Sequence, residues 1–479
     1  MATTLARPAT EPGLRRLRTY RWETPNWIIA LASTCVLLAV VLGAFVSVVT
    51  SSVRDGVRVI GREAAPQVAA TTGLYFALSD MDAQLANVQL AGNDPAMATN
   101  RKEALDLYQQ RRIEANGALQ RIATGDPGDP KIADILDRIG RYESLAGQTT
   151  ALNDRDRDNG PAGRPSKPAL EHHSEATDLM QATLREVRDL TTANHDLLNQ
   201  TYQDKLDGAV AARAWLWVIG GLLVLALLGL QVFLRVRLRR RLNPAALLAT
   251  IVVGVTVVIG FTALSAEARD LEVAKANAFD SIVALSQARA VGYDANADES
   301  RYLVDSGRTA WYERSFLDKT QSLVTILGAG IADFDQRFDD ALRAYHGKNT
   351  DVRFGGYFGA EMNNITFAGE RDAAERVLTT YQQYQRDDRR IRAMASRGDL
   401  RQAIAFCVAT TSGSSNYDFA QYDKALTAVI DINQQAFDTA IRDADNELTG
   451  WGDLVPLGVP VTVTVLVAAG VWRRVREYR

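Results

Sequence analysis

Cysteine and histidine are scarce in this chain, with two of the first and four of the second among 479 residues. Cys35 lies in an apolar stretch and Cys407 far downstream in polar sequence, so they form no disulfide framework within one chain. No Cys cluster offers a metal or lipid-attachment site. A Gly-rich phosphate loop, a paired-histidine metalloprotease signature and a nucleophile elbow are also missing. The nearest thing to a metal cluster is His172 and His173 with Glu171 and Glu175. Adjacent histidines point to different faces of a helix, which favours the start of a solvated helix over a metal site. The expectation is therefore a protein that is not an enzyme, with no catalytic residue, cofactor or metal. Lysine is sparse beside arginine while alanine and glycine abound, a usage that fits a high-GC bacterium.

Four apolar stretches are present: residues 27–49, 214–234, 244–264 and 454–472. Each is close to the roughly 20 residues needed to cross about 30 Å of hydrocarbon. None contains Asp, Glu, Lys or Arg, which argues against an ion or proton path. Arginines flank them in the tail 1–26, in the link 235–243 and in the tail 473–479. Because short basic segments stay in the cytoplasm, both termini and the link are expected inside, and residues 50–213 and 265–453 outside, giving a multi-pass cell-membrane protein. The first stretch is too long for a signal-peptide core and reads as a retained anchor. Net charge of -3 and a mean hydropathy of -0.12 average greasy and polar parts and say little by themselves.

The two halves resemble each other. Tyr75, Ala77 and Asp80 reappear as Tyr293, Ala295 and Asp298 at a constant offset of 218, and Asn194, Asn199 and Asp204 line up with Asn433, Asp438 and Asp443 at an offset of 239. Both offsets agree with the spacing of the corresponding apolar stretches, so a tandem duplication is expected. Apolar residues at three- and four-residue steps, such as Leu74, Leu78, Met81 and Leu85, or Phe419, Tyr422, Leu426 and Ile430, predict helix throughout both outer segments. Breaks are expected at residues 92–96, 125–130 and 153–168 in the first segment. In the second they fall near Ser306, at 346–369 and at 410–416, with a turn at Gly398 and Asp399. The predicted architecture is an all-α membrane protein with four transmembrane helices and two extracytoplasmic four-helix bundles in tandem.

Several residues stand out against that pattern. Asn194 and Asn433 occupy positions where an apolar stripe wants a hydrophobic side chain, either to fix helix register or to contact a polar ligand. Arg289 and Tyr293 fall on the inward-facing spacing of one helix, and an inward Arg holds a carboxylate by its planar fork unless it is solvated or ion-paired. The connector from Phe354 to Glu370 is rich in aromatics and glycine. Its Tyr357, Phe358, Glu361, Asn363, Asn364 and Phe367 either cap a bundle or form a docking surface for an outer partner. Arg239, Arg240 and Arg241 in the link are candidates for docking an inner partner.

Tandem helical modules, basic inner segments with no inner domain, and the stretches 361–370 and 414–437 together resemble the GlnX family of actinobacterial membrane proteins. The resemblance is one of architecture over nearly the whole chain and carries no functional residue across. It implies a relay in which a solute-binding lipoprotein of the GlnH type reports amino acids, aspartate or glutamate, to the outer bundles. The signal then reaches a soluble Ser/Thr kinase of the PknG type inside. The lipid bilayer is a further partner, nucleic acid is not, and a homo-oligomer is compatible with the pattern. The rival readings are an envelope scaffold that holds partners without changing state, and an accessory subunit of a transporter.

Overall fold

The structure is a computed structural model that describes residues 24–125, 128–155, 162–238, 243–348, 351–447 and 451–476. It is all-α: among the described residues there is no β-strand, only an isolated bridge between Thr325 and Gly355. The helices are α1 (Thr24–Arg58), α2 (Ala65–Ala91), α3 (Ala98–Gly125), α4 (Pro130–Arg155), α5 (Lys167–Leu238), α6 (Pro244–Glu272) and α7 (Asp280–Val304). They continue as α8 (Thr309–Leu323), α9 (Phe334–Gly347), α10 (Gly356–Asn364), α11 (Glu370–Ser396), α12 (Leu400–Val408), α13 (Ser415–Glu447) and α14 (Trp451–Arg476). Most expected breaks fall where glycine, proline and Asx caps put them. Gly92 at φ 55° ends α2, and the Asp94 carboxylate accepts from the Ala96 amide to start a short 3₁₀ turn. Pro130 opens α4, with the Lys131 amide donating to Asp129. Two features were not foreseen. The chain breaks between α8 and α9, where Gly328 adopts φ 73°, and the aromatic connector folds into the short helix α10.

The chain divides into two compact units. One comprises Met1–Thr50, Ala211–Thr262 and Gly450–Arg479 and holds the four apolar stretches. The helical runs Asn26–Ala91, Lys167–Val236, Pro244–Val304 and Leu454–Trp472 are long and apolar enough to cross a membrane, as fits a multi-pass membrane protein. Exposed side chains such as Leu37, Leu225 and Leu454 form the apolar outer face of this unit. At Gly254 and Gly458 a Cβ would meet nothing within 4 Å, so no neighbouring helix approaches closely there. The crowded glycines of this unit are Gly43, where a Cβ would collide with the Pro456 carbonyl and the Pro460 ring, Gly220, where it would meet Val257, and Gly470, where it would meet the Asn243 amide. Buried Gln231 donates to the Ala246 carbonyl (3.2 Å) and to Thr250 Oγ1 (2.9 Å), so its amide is satisfied within the unit.

The other unit comprises Ser51–Val210 and Ala263–Thr449. Periodicity predicts one bundle per segment; instead the two segments share a core. One cluster of buried residues combines Leu74, Leu78, Ile135 and Met180 from the first with Leu285, Phe338, Tyr381 and Tyr422 from the second. At its centre α2 packs along α7. From Leu74 to Ala91 nearly every α2 residue is buried, polar ones included, and α7 is the same from Asp294 to Arg301. Each of these helices is preceded by a π-helical stretch, Val59–Ala64 before α2 and Val273–Phe279 before α7. A second cluster joins both stretches to α5 and α13, through Ile60, Leu198, Ala274, Phe279 and Phe437.

Candidate functional site: a buried polar seam between the two long segments

A helix that is buried all round but carries charges must pair them, because an isolated buried ion is far too costly. Arg301 of α7 is fully buried and donates to Asp82 of α2, to Asp298 (2.5 Å) and to Asp294 (3.4 Å). Lys319 of α8 adds a second cation, 2.8 Å from Asp294 and 2.5 Å from Asp298. Tyr142 of α4 donates to the other Asp82 oxygen at 3.0 Å. Burial pushes the Asp82 carboxyl up to about 6 against the pull of Arg301, so at neutral pH it is ionised and the pair is charged on both sides. His173 of α5 is buried with neither ring nitrogen bonded, and burial followed by repulsion from Arg301 and Arg308 lowers it to about 3, leaving it neutral. Among the described residues no group of side chains could hold a metal ion.

The seam continues along the two helices. Arg111 of α3 donates to Asp80 at 2.5 Å, and its guanidinium lies 4.7 Å from the Phe76 ring centre. Arg289 covers the same ring at 3.9 Å and donates through Nε and Nη2 to the two oxygens of Asp423, at 2.5 and 2.8 Å. Arg289 is thus ion-paired, with its fork already filled. Burial opposes its charge, but the Asp423 carboxylate outweighs burial and raises its pKa. Tyr293 stands edge-on to Phe76 at 5.1 Å and to Phe419 at 4.8 Å. Beside these rings a cleft of about 180 Å³ is lined by amides from both segments, Gln84, Asn87, Asn100, Asn296 and Asn416. Asp80 and Asp298, which the sequence offset of 218 aligns, sit alike, each on a leading helix and each paired with a cation on the helix that follows.

The remaining candidates separate. Asn433 is fully buried and donates to Glu370 Oε1 (2.7 Å) and the Val429 carbonyl (3.1 Å), whereas Asn194 is only half-buried, so the two amides occupy different environments. Glu370 also accepts from the amides of Thr366 (2.7 Å) and Phe367 (2.9 Å), tying the connector to α13 through Asn433. In the connector Phe358 and Glu361 are buried in the core and offer no surface to a partner. Tyr357 is half-buried, donating to Gln287 Oε1 at 2.9 Å, and Phe367 packs half-buried on the second cluster. Asn364 donates to the Asn277 carbonyl (3.3 Å) and to Ser281 Oγ (3.0 Å), which leaves Asn363 as the exposed member of the set. Arg239, Arg240 and Arg241 lie outside the described residues. Sequence reasoning missed Asp82, Arg301 and Lys319, and it read His173 as part of a solvated helix start, whereas the ring is fully buried. The signal available was the density of charge in the run from Asp294 to Arg301, unusual for a helix that also alternates small apolar residues.

Residues 56–203, which include α2 and its seam residues, match the family described as an actinobacterial sensor domain. This supports the class of an actinobacterial sensor protein with four membrane-crossing helices. No curated protein and no solved structure matches the chain.

Proposed function

We propose that the protein is a transmembrane sensor that relays an extracytoplasmic amino-acid signal, delivered by a solute-binding protein, to a cytoplasmic Ser/Thr kinase. It does so as a non-enzymatic cell-membrane protein with both termini inside. The observation that carries the reading is the sensor-domain match over 56–203 on a chain whose helical run Asn26–Ala91 joins an apolar stretch to the buried seam without a break. A shift of α2 against α7 has discrete alternatives, because their charges must find partners in each register. The π-helical stretches at Val59–Ala64 and Val273–Phe279 support this, since such stretches concentrate where helices must change register. The partners follow from the resemblance to the GlnX family, which implies a lipoprotein carrier outside and a soluble kinase inside.

Two measurements test it. Thr411→Cys, on an exposed turn, should react with an impermeant maleimide in intact cells, and Leu238→Cys only after permeabilisation. Native Cys35 and Cys407 are buried and give little background. Kinase activity in cells should change on amino-acid addition, and replacing Arg239, Arg240 and Arg241 by Gln should abolish that change in correctly inserted protein. Labelling of Leu238→Cys alone in intact cells would overturn the orientation. A kinase that never responds, with partners still held at the membrane, would favour the scaffold or transporter-subunit reading.

A further inference from the structure

A cleft of about 500 Å³ or more, well within the range that encloses small ligands, opens between α8, α9 and α11, its volume being about 530 Å³. Arg392 reaches into it in an unusual state. Its Nε donates to both oxygens of Asp388 (3.1 and 2.8 Å), and its guanidinium is held between the rings of Tyr302 (4.6 Å) and Phe316 (5.0 Å). Its two terminal nitrogens, buried, have no hydrogen bond, and Nη1 stands 3.6 Å from Glu313 Oε1. Gln385 and Thr320 on the cleft wall turn to the buried Tyr381 hydroxyl, which serves as acceptor for both. Nη2 is thus the one corner of an oriented fork with neither a hydrogen bond nor an ion pair, and a fork with an open corner suits a carboxylate.

The charge balance narrows the ligand. Three carboxylates (Glu313, Asp335, Asp388) face two guanidinium groups (Arg389, Arg392). Asp335 is paired with Arg389, while Asp388 and Glu313 share Arg392, so one negative charge is in excess beside that guanidinium. A simple carboxylate would be opposed by that surplus, whereas a zwitterion brings an ammonium group to meet it. Phe316, Leu317, Ile331 and Phe334 form the apolar part of the wall and favour a hydrophobic side chain over an acidic one. We propose that this cleft binds a zwitterionic α-amino acid with an apolar side chain, its carboxylate on the open Nη2 corner of Arg392 and its ammonium at Glu313. The site lies wholly in the second long segment and requires neither a carrier protein nor a kinase, so its test is separate from that of the relay.

The test is calorimetric titration of the purified full-length protein in lipid nanodiscs, with L-leucine as the probe. Leucine should give saturable binding. Isocaproate, which lacks the ammonium, and leucinamide, which lacks the carboxylate, should each bind at least about tenfold more weakly, as should L-glutamate, because each loses a charge-assisted contact or gains a repulsion. Arg392→Met should abolish leucine binding. If that variant does not fold by circular dichroism, Ala393→Leu, which fills the cleft and leaves the fork intact, should weaken leucine by a similar factor. Absence of leucine binding to folded protein, equal binding of either truncated analogue, or an undiminished affinity in Ala393→Leu would overturn the proposal. A kinase unresponsive in cells, with leucine still bound here, would count against the relay alone.

Discussion

Arg301 of α7 donates its Nη2 to Asp82 of α2 across 219 residues of sequence, and both side chains are inaccessible to solvent. The two helices at the centre of the larger unit are therefore joined by charge as well as by apolar packing. Neither charge can be separated from the other without being left in a low-dielectric interior. That couples the leading helix of the first segment to the leading helix of the second, each of which runs on from an apolar stretch.

Removing the cation should be severe. Arg301→Met leaves Asp82, Asp294 and Asp298 with Lys319 as the remaining cation of the cluster, and should lower stability by about 3–5 kcal/mol. The double variant Arg301→Met with Asp82→Leu should recover part of that loss, since it removes the uncompensated carboxylate as well. Denaturant unfolding of the three proteins checks both statements. A single variant as stable as the parent would mean that the seam contributes no net stabilisation.

Buried His173 gives a stability that falls on acidification. Its pKa, lowered from 6.5 to about 3, means that between these values the unfolded chain binds a proton and the folded protein does not. Stability contributed by the neutral ring is complete above about 6.5 and is lost as pH falls, at about 1.4 kcal/mol per pH unit for one proton. His173→Phe, which keeps the packing and cannot titrate, should flatten the midpoint-against-pH profile between pH 6 and 4 by that amount. A parallel profile would place the acid sensitivity elsewhere.

Glu361 works in the opposite direction. Burial raises its carboxyl from 4.5 to about 7, with repulsion from Glu370 adding to the effect. The folded protein then holds a proton that the unfolded chain releases, so the associated stability is present below about 4.5 and lost as pH rises through about 7. Glu361→Gln removes the titration and should be more stable than the parent at pH 8 by on the order of 1–3 kcal/mol, with little difference at pH 4. Thermal midpoints of both proteins at the two pH values decide it, and equal differences at both would point to packing in place of protonation.

The apolar stretches were legible because length and composition are local properties. Leu37, Leu225 and Leu454 lie in runs that no soluble helix needs, and the structure carries each in a helix long enough to cross a membrane. Helix ends were legible where a residue acts on its own backbone, as Gly92 and Pro130 do. The connector was only half legible: its aromatics showed that something is packed there, but Phe358 and Glu361 lie against partners from helices distant in sequence, which made core of a stretch that reads equally well as surface.

What the sequence determined by itself was the helical class, the four apolar stretches and most of the helix boundaries, because periodicity, propensity and hydropathy act within a few residues of the chain. What only the tertiary structure decided was that the polar faces of α2 and α7 are interior. Asp80, Asp82, Asp298 and Arg301 read along the chain as a solvated face, and Arg392 as one more surface arginine on α11. A charge is stable in the interior only beside its counter-charge, and for Asp82 that counter-charge is 219 residues away. For Arg392 the decisive fact is a cleft formed by three helices, in which Asp388 and Glu313 hold the guanidinium and leave its Nη2 open.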